Sequence, residues 1–221
     1  MNKEGDDPGR FSLLLIFSLA YLFVAPFLLE FPGLRFLMTI FLTGILISGV
    51  YSVSRQKRVA AIASLLAVPI FAMLWAHEFT GIRLLATLAD CFGILCLSFL
   101  AVSILNAVIR AQRVTRDVIC GAVVVYLFVG VIWGFVFSLI ETIQPGSFSV
   151  SVAATRQQSA PLLNYFSFVT LTTLGYGDIS PLSAPARSFA YLEALIGQVY
   201  LTVLVARLVG MHISQRLRND E

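Results

Sequence analysis

Residues 172–178 read Thr-Thr-Leu-Gly-Tyr-Gly-Asp, and the fold is organised around this short stretch. An apolar run occupies residues 164–171 directly before it, and a long apolar run begins at Ser188. Gly175 and Gly177 alternate with bulky residues, and glycine adopts backbone angles that residues with a Cβ reach only at a cost. A strand that alternates in this way turns successive carbonyl oxygens to the same side.

The sequence Thr-Leu-Gly-Tyr-Gly at residues 173–177 resembles the filter of the pore-loop potassium channels, which usually reads TVGYG. The resemblance implies that four copies around an axis form stacked oxygen rings that replace the hydration shell of a cation. Leu174 stands where valine is usual, and it contributes its carbonyl, so the change affects packing more than ion contact. The resemblance implies K⁺ coordination by the hydroxyl of Thr173 and by the backbone carbonyls of Thr173, Leu174, Gly175, Tyr176 and Gly177. The alternative reading of Gly-Tyr-Gly-Asp is an ordinary surface turn.

The composition is that of an integral membrane protein. Of the 221 residues, 58% are hydrophobic and 12% are charged, and the mean hydropathy is +0.90. A soluble domain carries about twice that share of charge. Three cysteines (Cys91, Cys96 and Cys120) lie in or beside apolar runs without zinc-ligand spacing. No nucleophile, base and acid set is visible, so we predict neither an enzyme nor a nucleic-acid partner, and no cofactor beyond the permeant K⁺.

The apolar pattern predicts an all-α membrane protein with six transmembrane helices. A re-entrant pore helix and a selectivity-filter loop lie between helices five and six, because the apolar run before the filter is too short to cross a membrane. We divide the chain into a cytoplasmic tail (1–10), a four-helix peripheral membrane domain (11–116), a pore domain (117–213) and a second cytoplasmic tail (214–221). The predicted spans cover roughly residues 11–29, 34–54, 59–76, 82–109, 118–140 and 187–213, with a turn at 77–81 and an exposed loop at 141–160.

Basic residues indicate how the chain is oriented, because they are enriched on the cytoplasmic side of a membrane. With six spans both termini share one side, and that side collects Lys3, Arg10, Arg55, Lys57, Arg58, Arg110, Arg113, Arg116, Arg216 and Arg218. The other side carries Arg35, Arg83, Arg156 and Arg187. We therefore predict a multi-pass protein of the cell membrane with cytoplasmic termini and a filter loop that enters from outside.

The resemblance assigns supporting roles around the filter. Asp178 would lie at the outer mouth, where it holds the filter by hydrogen bonds or attracts cations; the alternative is a simple turn former. Tyr165 and Phe166 stand where many relatives carry paired tryptophans that brace the filter. Because Phe166 cannot donate a hydrogen bond, this bracing relies more on ring packing. Val169 occupies a place where some relatives have a glutamate that bonds the filter aspartate.

Three residues of the last span are further candidates. Gly197 falls where the family places the bending point, or hinge, of the inner helix, although a mid-span glycine can also simply allow close helix contact. Gln198 and Thr202 lie one helical turn apart. They would line a water-filled cavity, or alternatively form a hydrogen bond between helices.

The fourth span lacks the pattern of a voltage sensor, which needs basic residues at every third position through the membrane. Arg110, Arg113 and Arg116 have that spacing but follow the span, so we do not expect strong voltage dependence. Two acids lie inside spans, Asp90 and Glu193. For both we favour structural roles over proton sensing: Asp90 would pair with Arg35 or Arg83, and Glu193 would support the pore helix.

The sequence thus predicts a homotetrameric, potassium-selective channel that conducts K⁺ passively and has itself, the lipid bilayer and potassium ions as partners. The alternatives are a weakly selective cation channel, a potassium-uptake transporter subunit and a non-conducting partner subunit. Nothing in the sequence indicates what opens the channel. Whether the first four spans form a bundle or only a lipid-facing collar is left open.

Overall fold

The computed structural model describes residues 9–30, 36–54, 57–111, 113–150 and 159–219. Within these ranges the chain is helical apart from one short antiparallel ribbon. The helices are α1 (Arg10–Glu30), α2 (Phe36–Ser52), α3 (Lys57–Thr80), α4 (Arg83–Arg110), α5 (Arg116–Ile143), α6 (Ser159–Leu171) and α7 (Ala184–Asn219), and the strands are β1 (Phe148–Val150) and β2 (Ile179–Pro181).

Four helices of the described part of the chain are long and apolar enough to cross a membrane by length and composition. They are Lys57–Thr80, Leu84–Arg110, Arg116–Ile143 and Ala184–Met211. The apolar segments Arg10–Val24, Thr39–Ser52 and Leu162–Leu171 are shorter. The described part of the chain is therefore helical apart from the short ribbon, with four helices of membrane length, and the crossing of a membrane by α1 and α2 stays a prediction.

Helices α1 to α5 form a closed ring, in which each helix packs on the next and α1 returns to α5. Their inward side chains make one hydrophobic core that includes Leu14 of α1, Ile45 of α2, Ile70 of α3, Leu100 of α4 and Phe128 of α5. The first four helices are thus a bundle continuous with α5 and not a loose collar. Helix α7 packs against α5 and α6.

The end of α3 differs from the sequence prediction of a turn at residues 77–81. The helix continues through His77 to Thr80, whose hydroxyl donates to the carbonyl of Ala76 at 2.7 Å. Gly81 ends the helix with φ +66°, and its amide donates to the carbonyl of His77 at 2.8 Å. A glycine in the left-handed conformation is a common helix stop, so only Gly81 of this segment serves as the turn.

The loop after α5 is also more ordered than predicted. Strands β1 and β2 pair in antiparallel register, with Ser149 opposite Ser180. Ser147 and Phe148 are buried, and the carboxylate of Glu141 accepts hydrogen bonds from the backbone amides of Gly146 (2.8 Å) and Phe148 (3.2 Å). The expectation of an exposed loop is therefore wrong for residues 147 and 148. Residues 151–158 of the same loop lie outside the described residues.

Candidate functional site

Helix α6 positions the candidate filter segment, residues 173–177, directly at its carboxyl end. The amide of Thr173 donates to the carbonyl of Thr170 at 2.9 Å. The amides of Leu174 and Gly175 both donate to the carbonyl of Val169, at 2.9 and 3.3 Å. Because these backbone donors bond back to α6, the start of the segment is anchored to the helix end.

The backbone of the candidate filter segment alternates. Thr173, Gly175 and Gly177 have φ values of +58°, +60° and +77°, whereas Leu174 and Tyr176 between them do not have positive φ. This is the alternation that the sequence predicts for the two glycines, and it extends to Thr173. A threonine in the left-handed region is strained, and no feature of the sequence pattern singles it out.

Asp178 follows the segment and is held by two donors. The hydroxyl of Tyr165 on α6 donates to Oδ2 of Asp178 at 2.9 Å, and the amide of Ile179 donates to Oδ1 at 3.1 Å. Desolvation and the hydrogen bond to Asp178 raise the pKa of Tyr165, which lies outside the four membrane-length helices, to about 12. Tyr165 therefore keeps its proton at physiological pH, and it ties α6 to the residue after the segment.

Phe166 points to a different neighbourhood from Tyr165. Its ring lies 5.1 Å from Phe137 of α5 and 5.3 Å from Phe148 of β1, measured between ring centroids. Both pairs are edge-to-face, an arrangement that aromatic rings favour. Phe166 thus packs α6 against α5 and the ribbon, and support of the filter by this ring stays a prediction.

Gly197 lies where α7 approaches the end of α6. A Cβ built on Gly197 would lie 2.5 Å from the carbonyl oxygen of Leu171, the last residue of α6. Helix α7 runs without interruption through this position. The contact favours the close-packing reading of this glycine, and a hinge at Gly197 stays a prediction.

Gln198 reaches the candidate filter segment itself. Its Nε2 donates to the hydroxyl oxygen of Thr173 at 3.3 Å. The hydroxyl of Thr202 donates to the carbonyl of Gln198 at 2.8 Å, within α7. Both side chains are exposed in the single chain. Among the described contacts, the bond from Gln198 to Thr173 joins α7 to the candidate filter segment. Lining of a cavity by Gln198 or Thr202 stays a prediction.

Ser167, Gly130 and Glu193 form a buried polar junction between α5, α6 and α7 that the sequence did not predict as a group. Ser167 of α6 donates its hydroxyl to the carbonyl of Gly130 on α5 at 2.6 Å, and the same oxygen lies 2.5 Å from Oε1 of Glu193 on α7. Both side chains are 0% exposed. The proposed support of α6 by Glu193 has a direct contact here, but nothing in the sequence singles out Ser167 as its partner.

Comparison with known proteins assigns this part of the chain. Residues 117–213, which contain α5, α6, the candidate filter segment and most of α7, match a family model described as an ion channel. This segment is an ion-channel domain. A stretch of 66 residues is 38% identical to the two pore potassium channel c of rice, Oryza sativa subsp. japonica. The stretch covers 30% of this chain and 14% of that relative, so the chain spans a small part of the relative's length.

The two matches agree with the motif: residues 117–213 match a family of channels, not of enzymes, and part of the chain is similar to a potassium channel. No solved structure matches the chain. With its membrane-length helices, the ion-channel domain makes this a multi-pass membrane protein.

Proposed function

We propose that the ion-channel domains of four copies of this chain form a potassium-selective pore through which K⁺ passes down its gradient. The observation that carries the proposal is the alternating backbone of Thr173, Gly175 and Gly177 directly after α6. In this proposal the carbonyls of residues 173–177 and the hydroxyl of Thr173 replace the water around K⁺. Asp178 lies at the outer mouth.

The surfaces of the single chain support assembly around an axis. Leu174 is 55% exposed and Tyr176 is 66% exposed, although they belong to an irregular backbone segment between two apolar helices. Non-helical backbone at membrane depth is tolerated where protein surrounds it or where it lines a water-filled path. Cyclic closure of identical chains provides both, and a fourfold ring places one copy of the segment on each side of the ion path.

The length of α6 supports a re-entrant loop and, with it, six spans. Helix α6 has 13 residues, which is roughly 20 Å of helix against about 30 Å of hydrocarbon. In the proposed arrangement α6 enters from the outside and its carboxyl end, with its partial negative charge, faces the ion path. Both termini are then cytoplasmic, in agreement with the distribution of basic residues.

The test is ion flux into liposomes that contain the purified full-length chain, with K⁺ and Na⁺ gradients compared in parallel. We expect K⁺ to cross and Na⁺ to be excluded. We expect Gly175→Ala to reduce the K⁺ flux, because alanine at φ +60° costs about 1–2 kcal/mol. Equal flux in wild type and Gly175→Ala would contradict conduction through this segment.

Leu174 departs from the usual valine and so permits one alternative, the weakly selective cation channel. The variant Leu174→Val distinguishes the potassium-selective channel from the weakly selective one. If the wild type already excludes Na⁺ and Leu174→Val behaves alike, the pore is potassium-selective. If the wild type passes Na⁺ and Leu174→Val excludes it, the weakly selective channel is the correct description.

A further inference from the structure

A cavity of about 240 Å³ lies at the centre of the ring formed by α1 to α5. Most of its wall is apolar, with side chains from all five helices. One part is polar, where Tyr21 of α1, Asp90 of α4 and Ser138 of α5 meet Asn164 of α6. The cavity therefore contacts both the first four helices and the ion-channel domain.

The polar part of this cavity contains the carboxylate of Asp90. Ser138 donates its hydroxyl to Oδ2 of Asp90 at 3.0 Å. Tyr21 and Asn164 line the same part of the cavity as Asp90. Oδ1 of Asn164 is buried and has no partner among the described residues. Because that atom has no accessible surface, the acceptor open to a ligand here is the carboxylate of Asp90, which favours a ligand that supplies donors and positive charge.

The apolar part of the cavity is large enough for an organic ligand. A cavity of about 150 Å³ lined by aliphatic and aromatic side chains binds benzene, and this one is larger. Its wall includes Leu42, Ile70, Leu97 and Phe128. An aromatic ring on a two-carbon chain fits this combination of volume and lining.

We infer that the cavity is a binding site for a small organic cation, an ammonium group on an apolar body. The ammonium donates to the carboxylate of Asp90, and the apolar body occupies the space between α2, α3 and α4. Glu78 also lines the cavity, as does His77, beside it on α3. A carboxylate among the lining groups selects a cation over an anion or a neutral compound.

The position of Asn164 gives binding a route to the candidate filter segment. Asn164 precedes Tyr165, whose hydroxyl donates to Asp178. A Cβ on Gly134 of α5 would lie 2.4 Å from Oδ1 of Asn164, so there is little room for Asn164 to shift in that direction. A ligand that fills the cavity therefore holds this part of α6 in place. This consequence for conduction rests on the proposed function, whereas binding itself does not.

The binding test is thermal unfolding of the purified full-length chain in detergent, with phenethylammonium chloride as the probe. Its control ligand is 2-phenylethanol, which has the same apolar body without the charge. A ligand that binds the folded state raises the unfolding temperature with concentration. We expect phenethylammonium to act at a concentration at least about tenfold lower than the alcohol, since a hydrogen bond to a charged group contributes that much.

Asp90→Asn should abolish the difference between the two ligands, and Glu141→Gln, at a carboxylate that does not line the cavity, should preserve it. Asp90→Glu provides a second variant, which keeps a carboxylate at this position and should keep the preference for the amine. Equal effects of amine and alcohol on the wild type would overturn the proposal, because the cavity would then take any apolar filler. Loss of the preference in Glu78→Gln but not in Asp90→Asn would also overturn it.

The sequence analysis predicts instead an internal ion pair of Asp90 with Arg35 or Arg83, and unfolding of the ligand-free chain tests the pair with Arg83. If Asp90→Asn and Arg83→Gln each destabilise the ligand-free chain and the double variant is no less stable than either alone, the carboxylate is already paired and the proposal is wrong. Because unfolding is measured without ion flux, a failure here leaves the proposed conduction untouched. Conversely, binding without any K⁺ flux would contradict the proposed function alone.

Discussion

Thr173 has a strained backbone conformation at the start of the candidate filter segment. Its φ of +58° costs about 1–2 kcal/mol relative to an ordinary backbone conformation. Three contacts hold it there: its amide bonds to Thr170, its hydroxyl accepts from Gln198, and the next amide bonds to Val169. Strain of this kind persists only where surrounding contacts determine the geometry, which fits a segment whose shape matters for function.

Tyr165→Phe tests the tie between α6 and Asp178. Removing a hydrogen bond to a charged group costs about 1.5–3 kcal/mol, and the lower end applies because Tyr165 is 40% exposed. We expect initial K⁺ flux to persist and to decline faster under a sustained gradient. Tyr191→Phe, at an exposed position of α7, is the matched control. A decline equally fast in both variants would count against the role of Tyr165.

Gly197→Ala tests the contact between α7 and the end of α6. The new methyl group would meet the carbonyl of Leu171 at 2.5 Å, and overpacking of this kind costs about 1–3 kcal/mol. Gly210→Ala is the control in the same helix, since nothing lies within 4 Å of a Cβ there, and alanine favours a helix by up to about 1 kcal/mol. Unfolding in detergent should separate the two variants in opposite directions. If both are stabilised, close packing at Gly197 is not required.

At the scale of elements, the junction of Ser167, Gly130 and Glu193 joins α6 to α5 and α7. The junction is fully buried, and α6 has few other polar ties to these helices among the described contacts. One oxygen of Glu193 has no partner in the described part of the chain. The position of α6, and with it that of residues 173–177, therefore depends on a small polar cluster in an apolar environment.

Ser167→Ala should destabilise the ion-channel domain by about 1–3 kcal/mol, because it leaves the carbonyl of Gly130 and the carboxyl group of Glu193 without their described partner. Ser48→Ala is the control, since Ser48 is also buried but bonds only to carbonyls of its own helix. Denaturant unfolding of both variants measures the difference. Equal stability of the two variants would show that the junction contributes little.

For the whole molecule, the arrangement is a ring of five helices with α6 and α7 packed on one side of it. Helix α7 leaves many large apolar side chains exposed in the single chain, among them Leu195, Val199 and Val203. Such a surface faces either lipid or other copies of the chain. The number of copies in the pore therefore determines what the candidate filter segment can do.

Mixing wild-type and Gly175→Ala subunits in equal amounts counts those copies. If one altered subunit disables a ring of four, random assembly leaves about one in sixteen rings intact. K⁺ flux should fall to about that fraction of the wild-type value. Residual flux of about half would contradict a ring of four that one altered subunit disables. Gly210→Ala mixed in the same way is the control and should leave the flux unchanged.

Much of this architecture was predictable because membrane spans and filter motifs are local patterns. The apolar runs located α3, α4, α5 and α7 to within a few residues, since burial in lipid requires a continuous apolar helix. The alternation around Gly175 and Gly177 was predictable because glycine relieves a local steric restriction. The extension of α3 to Thr80 was not predictable, because it depends on capping. The pairing of β1 with β2 was not predictable either, because it depends on contacts between segments about 30 residues apart.

The sequence by itself determined a membrane protein with an ion-channel motif, because hydropathy and glycine placement act over a few neighbouring residues. Only the tertiary structure decided that the first four helices close a ring with α5. It also decided that Ser167 meets Glu193, that Gln198 reaches Thr173, and that Asp90 and Asn164 share one cavity. These pairs come from helices far apart in the chain, and their contacts follow from how the helices pack and not from any periodicity within one helix.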